Sequence, residues 1–462
     1  MTISRTLAEW VWNLDLDEVP EPVRRANRLQ VLDIIGVMIA AHDQELVMKA
    51  QAAVLSQGSG GDTPIFASNK QACASAAAMV NGVMAHLLEF DDSHPVSGAH
   101  TTTPVLAAVL PLALQNKVSG RALLQAVLAG NEIACRLGMV APGAAHANGL
   151  HPTGVYGTLG AVFAVSKLLG LTVSQMVNAL AIAASMCPTS IMASWEDGSS
   201  VKSLHAGFAA SSAVSAALFA IQGIQGSPVA LEGRFGFFRA LFPVQRPLFD
   251  FEVATQELGE RWEITKISSK MYPCGGAFQA HLDAAFDLME RETFSAEEIE
   301  NIECGISNYF VPLVCEPVSE KRRPNTTWHA RFSIQHSLAA AFATGRLDHD
   351  SYSEAAIHNP SINALADRVT YVVDEEACDR TRLLGEVRVQ LRDGREFRSR
   401  NDMRGTERNP MKTEDYLNKF RQNARKMISD SNSQAFIDQI MGFESIIDVN
   451  DVLGQKAYLL SS

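Results

Sequence analysis

Three imidazoles and three carboxylates crowd into residues 86–104, His86-Leu-Leu-Glu89-Phe-Asp91-Asp92-Ser93-His94-Pro-Val-Ser-Gly-Ala-His100-Thr-Thr-Thr-Pro104. Read as a helix ending near Phe90, the segment puts His86 and Glu89 on one face at i, i+3, and the following loop can fold Asp91, Asp92 and His100 toward the same point. Carboxylates that fix the tautomer and proton affinity of an imidazole make a general acid or base near neutral pH. A metal cage is the rival chemistry, but no HExxH spacing and no regular run of carboxylates accompanies the segment, so no metal is expected. The plain alternative is a helix end capped by Asp91, Asp92 and Ser93, with solvated histidines.

Three further segments carry reactive side chains. His151-Pro-Thr-Gly-Val-Tyr156-Gly-Thr-Leu-Gly160 opens a helix whose first amides can face an anion. It lacks the GxxxxGK[ST] order of a phosphate loop, and its glycines at 154, 157 and 160 equally suit close helix packing. Lys202 begins an Ala-rich helix in Lys202-Ser-Leu-His205-Ala-Gly, and Lys270 stands in Ser268-Ser-Lys270-Met-Tyr-Pro-Cys274-Gly-Gly. A lysine in such surroundings clamps a carboxylate or, when desolvated, acts as a base; solvated lysines are the plain reading. Cys274 is either a base activated by Lys270 or a buried spectator thiol.

The elements that must position these groups are mostly helical. Apolar residues recur at helical spacing over 22–40, 44–56, 71–89, 103–114, 119–138, 155–169, 172–186 and 203–223. Ser119 and the Thr172-Val-Ser-Gln175 capping box mark helix starts, and Gly170 a helix end. After about residue 265 the pattern changes. Residues 300–307 and 369–373 alternate like strands, 385–398 reads as a hairpin turning at Asp393-Gly394, and helices fall at 277–291 and 333–344. From Thr413 to residue 462 the chain returns to helix. The expected fold is therefore mainly α. A large all-helical domain (1–266 and 401–462) carries a smaller α+β domain (267–400) inserted before the C-terminal helices.

Composition limits the partners. The 39 Lys and Arg against 51 Asp and Glu give a formal charge of −12, and no basic run appears, which disfavours nucleic acid and anionic membranes. The apolar stretch 177–193 contains Asn178 and Pro188 and reads as a buried helix, not a membrane span. The seven cysteines show no CxxC spacing, and the segment after Met1 lacks a basic region followed by an apolar one. A cytoplasmic protein with reduced thiols is expected.

Taken in order, Glu89-Phe-Asp91-Asp92-Ser93 with His100, His151-Pro-Thr-Gly, Lys202-Ser-Leu-His205-Ala-Gly, Lys270-Met-Tyr-Pro-Cys274 and Arg331-Phe-Ser-Ile resemble the MmgE/PrpD family over about residues 20–430. The resemblance implies a homodimer and a cofactor-free site in a cleft between two domains. It places that site at Glu89, Asp92, Ser93, His100, His151, Lys202 and Lys270, with Tyr309 beside them. Tyr-Pro-Cys-Gly-Gly after Lys270 departs from the family's dehydratases.

Members share one chemical problem: a small polycarboxylate loses a proton or carbon dioxide beside a carboxylate, and cations must stabilise the resulting charge. The favoured reading is an isomerase that epimerises a carbon alpha to a carboxylate, with iminodisuccinate the expected substrate. Lys270 or Tyr156 works one face and His151 the other, while His100 and Lys202 hold carboxylates. His86 and His94 are assigned no chemistry. The alternatives are a lyase of the same family, of the 2-methylcitrate dehydratase or cis-aconitate decarboxylase type, and a non-catalytic helical scaffold.

Overall fold

The computed structural model describes residues 1–58, 60–194, 198–244, 249–378, 382–406 and 408–454, so the last eight residues of the expected C-terminal helical tail lie outside it. The first half is helical: α1 (Ile3–Asn13), α2 (Glu21–Ala41), α3 (Glu45–Ser56), α4 (Ala74–His86), α5 (Thr102–Asn116), α6 (Gly120–Met139), α7 (Pro152–Leu168), α8 (Val173–Met186) and α9 (His205–Ile221). The expected caps form. Ser119 Oγ accepts from the Ala122 amide at 3.2 Å, and Thr172 and Gln175 cap each other reciprocally at the start of α8. Gly170 takes the left-handed conformation just past α7. The stretch 177–193 is not one helix, because Pro188 disfavours helical backbone in the residue before it and α8 stops at Met186.

Two close helix contacts bring the reactive segments together. A Cβ added to Gly82 of α4 would lie 2.5 Å from Gly207 Cα of α9, so only glycine lets these backbones touch. That contact sets the end of α4, with His86, beside the start of α9, with Lys202 just before it and His205 at its first position. On α7, a Cβ at Gly160 would meet the Gly130 carbonyl oxygen of α6 at 2.4 Å, which accounts for that glycine by packing. Ser200–Ile221 is apolar and long enough to cross a bilayer by composition, yet 56% of its apolar window is buried within the protein, and α9 packs on α4, α7 and α8.

A four-stranded sheet follows, built from β1 (Ile299–Ile306), β2 (Val369–Val373), β3 (Leu384–Leu391) and β4 (Glu396–Asp402) in the order β2-β1-β3-β4. β1 pairs with β2 in parallel and with β3 antiparallel, while β3 and β4 form the expected hairpin with Gly394 at φ +90°. Helices α10 (Gln279–Arg291) and α11 (Ile334–Thr344) pack with this sheet. The tail supplies α12 (Thr413–Ala424), which lies against α2, and α13 (Asp430–Met441).

Buried apolar side chains sort into two clusters. The larger runs from Leu7 to Ile267 and is completed by Phe420 to Leu453, and the smaller runs from Tyr272 to Leu391. Lys270 stands at the join between them. All seven cysteines are free thiols.

Candidate active site

The acidic segment is a turn, not a continued helix. α4 ends at His86, and Glu89 adopts φ +51°, a left-handed conformation that costs a non-glycine residue about 1 kcal/mol or more. The expected i, i+3 face shared by His86 and Glu89 is therefore replaced by a chain reversal. Residues Asp92–Ser93 then pair antiparallel with Ser268–Ser269, and the Lys270 amide donates to the Asp91 carbonyl at 3.2 Å. This two-residue ribbon carries Lys270 across to the acidic turn. Lys419 of α12, itself buried, donates to the Phe90 carbonyl at 2.6 Å and pairs with Asp33 at 2.7 Å, fixing the turn from behind.

Inside the turn, the carboxylates are shared between two ammonium groups. Glu89 accepts from Lys202 through Oε1 and from Lys270 through Oε2 at 3.2 Å, while Asp91 Oδ1 accepts from Lys270 at 3.0 Å. Asp91 Oδ2 accepts from His86 Nδ1 at 2.6 Å and from Thr103 Oγ1 at 3.1 Å. His86 Nε2 lies 3.2 Å from Lys202 Nζ; because an ammonium only donates, that nitrogen accepts and His86 carries its proton on Nδ1. Burial alone would raise Glu89, but the Lys202 and Lys270 ammonium groups hold it at about 2. Burial opposes ionisation of Asp91 as well, and the Lys270 ammonium and the His86 hydrogen bond outweigh it, leaving this carboxyl well below the usual range. Lys270 gains the converse benefit: burial works against its charge, yet Asp91 and Glu89 lift it above an ordinary lysine. Lys202 is lowered by burial and by the nearby Lys270 charge, with Glu89 opposing.

Imidazoles line the other side. His86 and His151 rings stack at 5.4 Å, His86 and His100 lie 5.1 Å apart, and His100 and His151 lie 5.7 Å apart at a tilt of 56°. His151 is the N-cap of α7, and its Nδ1 sits 3.2 Å from Nδ1 of His205, so one ring donates and the other accepts. His100 Nδ1 donates to the Asp92 carbonyl. Burial pushes His100 and His205 down to about 3 and His151 well below its usual value, with the lysine cations adding to the effect. The result is that His100, His151 and His205 are uncharged imidazoles beside two ammonium groups in a site nearly closed to water.

The structure brings Glu89, Asp91, His100, His151, Lys202 and Lys270 together and adds His86 and His205, to which sequence reasoning assigned no chemistry. His86 is buried in the cluster, not a solvated helix-end residue. His94 is buried too, tied to Ser97 at 3.1 Å with Glu263 at 3.4 Å, outside the imidazole group. Asp92 turns to α5, accepting from the Thr102 amide at 3.1 Å; burial and the Asp91 charge raise it to about 7. Ser93 is half-buried in the ribbon.

Tyr156, expected as an alternative base, is packed into the larger core. Five residues beyond His151 on α7, it points the other way, packs on Phe242 at 6.3 Å within the larger core, and burial drives its ionisation up. Lys270 is a fixed cation for the same electrostatic reason that its two carboxylates stay ionised. Burial also lifts the Cys274 thiol to about 12, the spectator reading. Tyr309 follows β1, half-buried and edge-on to Phe310 at 5.2 Å.

Among the described residues no group of three or more His, Cys, Asp or Glu is arranged to hold a metal ion. The carboxylates closest to the imidazoles are already engaged by ammonium groups.

The MmgE/PrpD N-terminal domain matches residues 5–250, and the MmgE/PrpD C-terminal domain matches residues 272–443. The chain belongs to the MmgE/PrpD family. The family's C-terminal match includes α12 and α13, although their Phe420 and Phe436 pack into the larger core. Among MmgE/PrpD relatives, the chain is 29% identical over 468 residues to the cis-aconitate decarboxylase of Mus musculus, covering 97% of this chain and 92% of that protein. It is 29% identical to that of Homo sapiens over 97% of this chain and 93% of that protein. With the cis-aconitate decarboxylase of Aspergillus terreus it shares 26% identity over 98% of this chain and 95% of that protein. This MmgE/PrpD chain is an enzyme, and the scaffold alternative falls away.

Proposed function

We propose that the enzyme is a cofactor-independent lyase that removes carbon dioxide from a small tricarboxylate, with cis-aconitate the first substrate to test. The observation that carries this reading is the set of uncharged imidazoles, His100, His151 and His205, packed around Lys202 and Lys270 in a water-poor interior. The near full-length similarity to cis-aconitate decarboxylases supports a lyase over the epimerase expected from sequence.

Decarboxylation breaks the bond between a carboxylate carbon and its neighbour. The electron pair stays on the carbon skeleton, spread toward the remaining carboxylates, and one proton is added for each carbon dioxide that leaves. Fixed cations stabilise that charge without having to reorganise. Lys270, locked between Glu89 and Asp91, supplies one, and Lys202 the other while it holds a substrate carboxylate. An entering polyanion raises the proton affinity of nearby imidazoles, so His100 or His151 charges on binding and delivers its proton to carbon. Glu89, Asp92 and Ser93 shape the wall. Incubation of the purified protein with cis-aconitate is expected to release carbon dioxide and a five-carbon dicarboxylate; unchanged substrate mass with no gas released would sink the lyase reading.

One observation favours a second reading. His100 and His151 are separate acid–base groups with tilted rings 5.7 Å apart, suited to exchanging a proton on two faces of one carbon. That is epimerase chemistry, with iminodisuccinate as the substrate, and inverted stereochemistry at constant mass identifies it.

We further propose that the enzyme is a homodimer. Phe208 and Phe219, eleven residues apart and so on one face of α9, are 42% and 45% exposed, and Ile224 beyond the helix is 48% exposed. Light scattering that reports a monomer at micromolar concentration would contradict this.

A further inference from the structure

Arg331 is a buried cation with no carboxylate partner. Its side chain is 8% exposed, and no ion pair to it exists among the described residues. Its two described hydrogen bonds both leave from Nη1, to the Leu88 carbonyl at 3.1 Å and the Pro273 carbonyl at 2.5 Å. The guanidinium carbon lies 4.8 Å from the centre of the Tyr352 ring, whose hydroxyl is fixed by Ser337 at 2.9 Å. Nε and Nη2, the edge that presents two parallel donors, have no described acceptor.

The location matters as much as the open edge. Leu88 precedes Glu89, and Pro273 lies three residues after Lys270, so Arg331 is anchored by the same two segments that carry the ion-pair cluster. The next residue, Phe332, places its ring 5.4 Å from Lys202 Nζ. Within the cluster the charges balance: Glu89 and Asp91 are matched by Lys202 and Lys270. Asp92 is engaged by the α5 amide. Among the described residues Arg331 is therefore the cation of this site without an ion-pair partner of its own. A desolvated guanidinium lacking an anion is unfavourable, and an incoming carboxylate relieves it.

We propose that Arg331 receives one carboxylate of the substrate through its free Nε–Nη2 edge and so selects polycarboxylates over monocarboxylates. The planar fork matches a carboxylate in bidentate fashion, whereas a lysine offers a point charge. Held at one end by Arg331, the substrate keeps its reacting end for Lys202, Lys270 and the imidazoles. This inference rests on the polycarboxylate reading of the site, but on neither the lyase nor the epimerase version of it.

The test is binding by calorimetry, with tricarballylate, glutarate and butyrate as probes that do not depend on turnover. Wild-type protein is expected to prefer tricarballylate over butyrate. R331Q is expected to bind tricarballylate about 30-fold or more weakly, the loss of two charge-assisted hydrogen bonds. R331K retains the charge without the fork and is expected to fall between them. His151→Ala, at the other end of the site, is expected to keep the preference for tricarballylate over butyrate. Should R331Q fail to unfold cooperatively, R331K carries the comparison alone, with a loss of about tenfold expected. Equal affinity of the folded Arg331 variants and wild type for tricarballylate overturns the role of Arg331 and leaves the polycarboxylate reading standing. Failure of the wild-type protein to bind any of the three probes overturns both.

Discussion

Two buried ionic networks, one within the larger core and one at its join with the smaller, are built differently. In one, Glu132 pairs with Arg136 at 3.2 Å and accepts from the Ile264 amide at 2.7 Å, while Arg136 donates to the carbonyls of Gln256 and Arg261 at 2.7 and 2.6 Å. Glu263 joins His94, Arg261 and Lys266 beside them, and those last two cations reach solvent. There the charges close off the backbone groups of an irregular segment, 252–267. In the other network, Glu89, Asp91, Lys202 and Lys270 bond mostly to one another, uncharged imidazoles crowd against them, and Arg331 keeps an open edge. The first network fastens a loop. The second, on the proposed reading, holds charge for a ligand, and the difference lies in what the donors point at, not in how deeply they are buried.

The comparison is broken most severely by His151→Ala. Losing an acid–base group costs about 10²- to 10⁴-fold in kcat, with tricarboxylate binding largely kept, as steady-state kinetics and calorimetry together will report. Arg136→Met should act the other way. Leaving Glu132 buried without its partner, and several carbonyls without a donor, destabilises the fold by about 3–5 kcal/mol, while the specific activity of the protein that remains folded is retained.

Asp92 gives a pH signature. Its folded proton affinity is raised, so the folded state binds more protons than the unfolded state between the unfolded value near 4 and the folded value of about 7. Stability is greatest below that window and is lost as pH rises through it. Asp92→Asn, whose amide oxygen can still accept from Thr102, is expected to flatten this slope and raise the melting temperature at pH 8 by about 2 °C or more. A melting curve that keeps its slope from pH 4 to 7 in the variant would contradict the assignment.

The smallest effect is expected for Tyr156→Phe. Its hydroxyl has no hydrogen-bond partner among the described residues, so kcat should stay within about twofold of wild type if Tyr156 belongs to the hydrocarbon core. A loss of about 10²-fold would return it to the chemistry.

Local signals carried much of the architecture. The Thr172–Gln175 capping box, the Asp393-Gly394 hairpin and the apolar periodicity of α5 and α6 each depend on residues within a few positions of one another. The site divides on the same principle. Glu89, His100, His151, Lys202 and Lys270 stood out because each lies in a short segment of unusual chemistry, and together they resemble a family. His86 and His205 gained their meaning from partners far off in sequence: Lys202 is 116 positions from His86, and His151 is 54 from His205. The two-residue ribbon at 92–93 and 268–269 is too short to leave a periodic trace, yet it delivers Lys270 to the turn. Tyr156 is adjacent in sequence to reactive groups, while the helical period turns it toward the hydrocarbon core.

The central claim is that these imidazoles move a proton to carbon beside a carboxylate, with Lys202 and Lys270 stabilising the charge. The most direct test is turnover of cis-aconitate in D2O followed by NMR of the product. One solvent-derived deuteron on carbon for each carbon dioxide released is the predicted result; a product whose carbon-bound hydrogens all come from the substrate would contradict it.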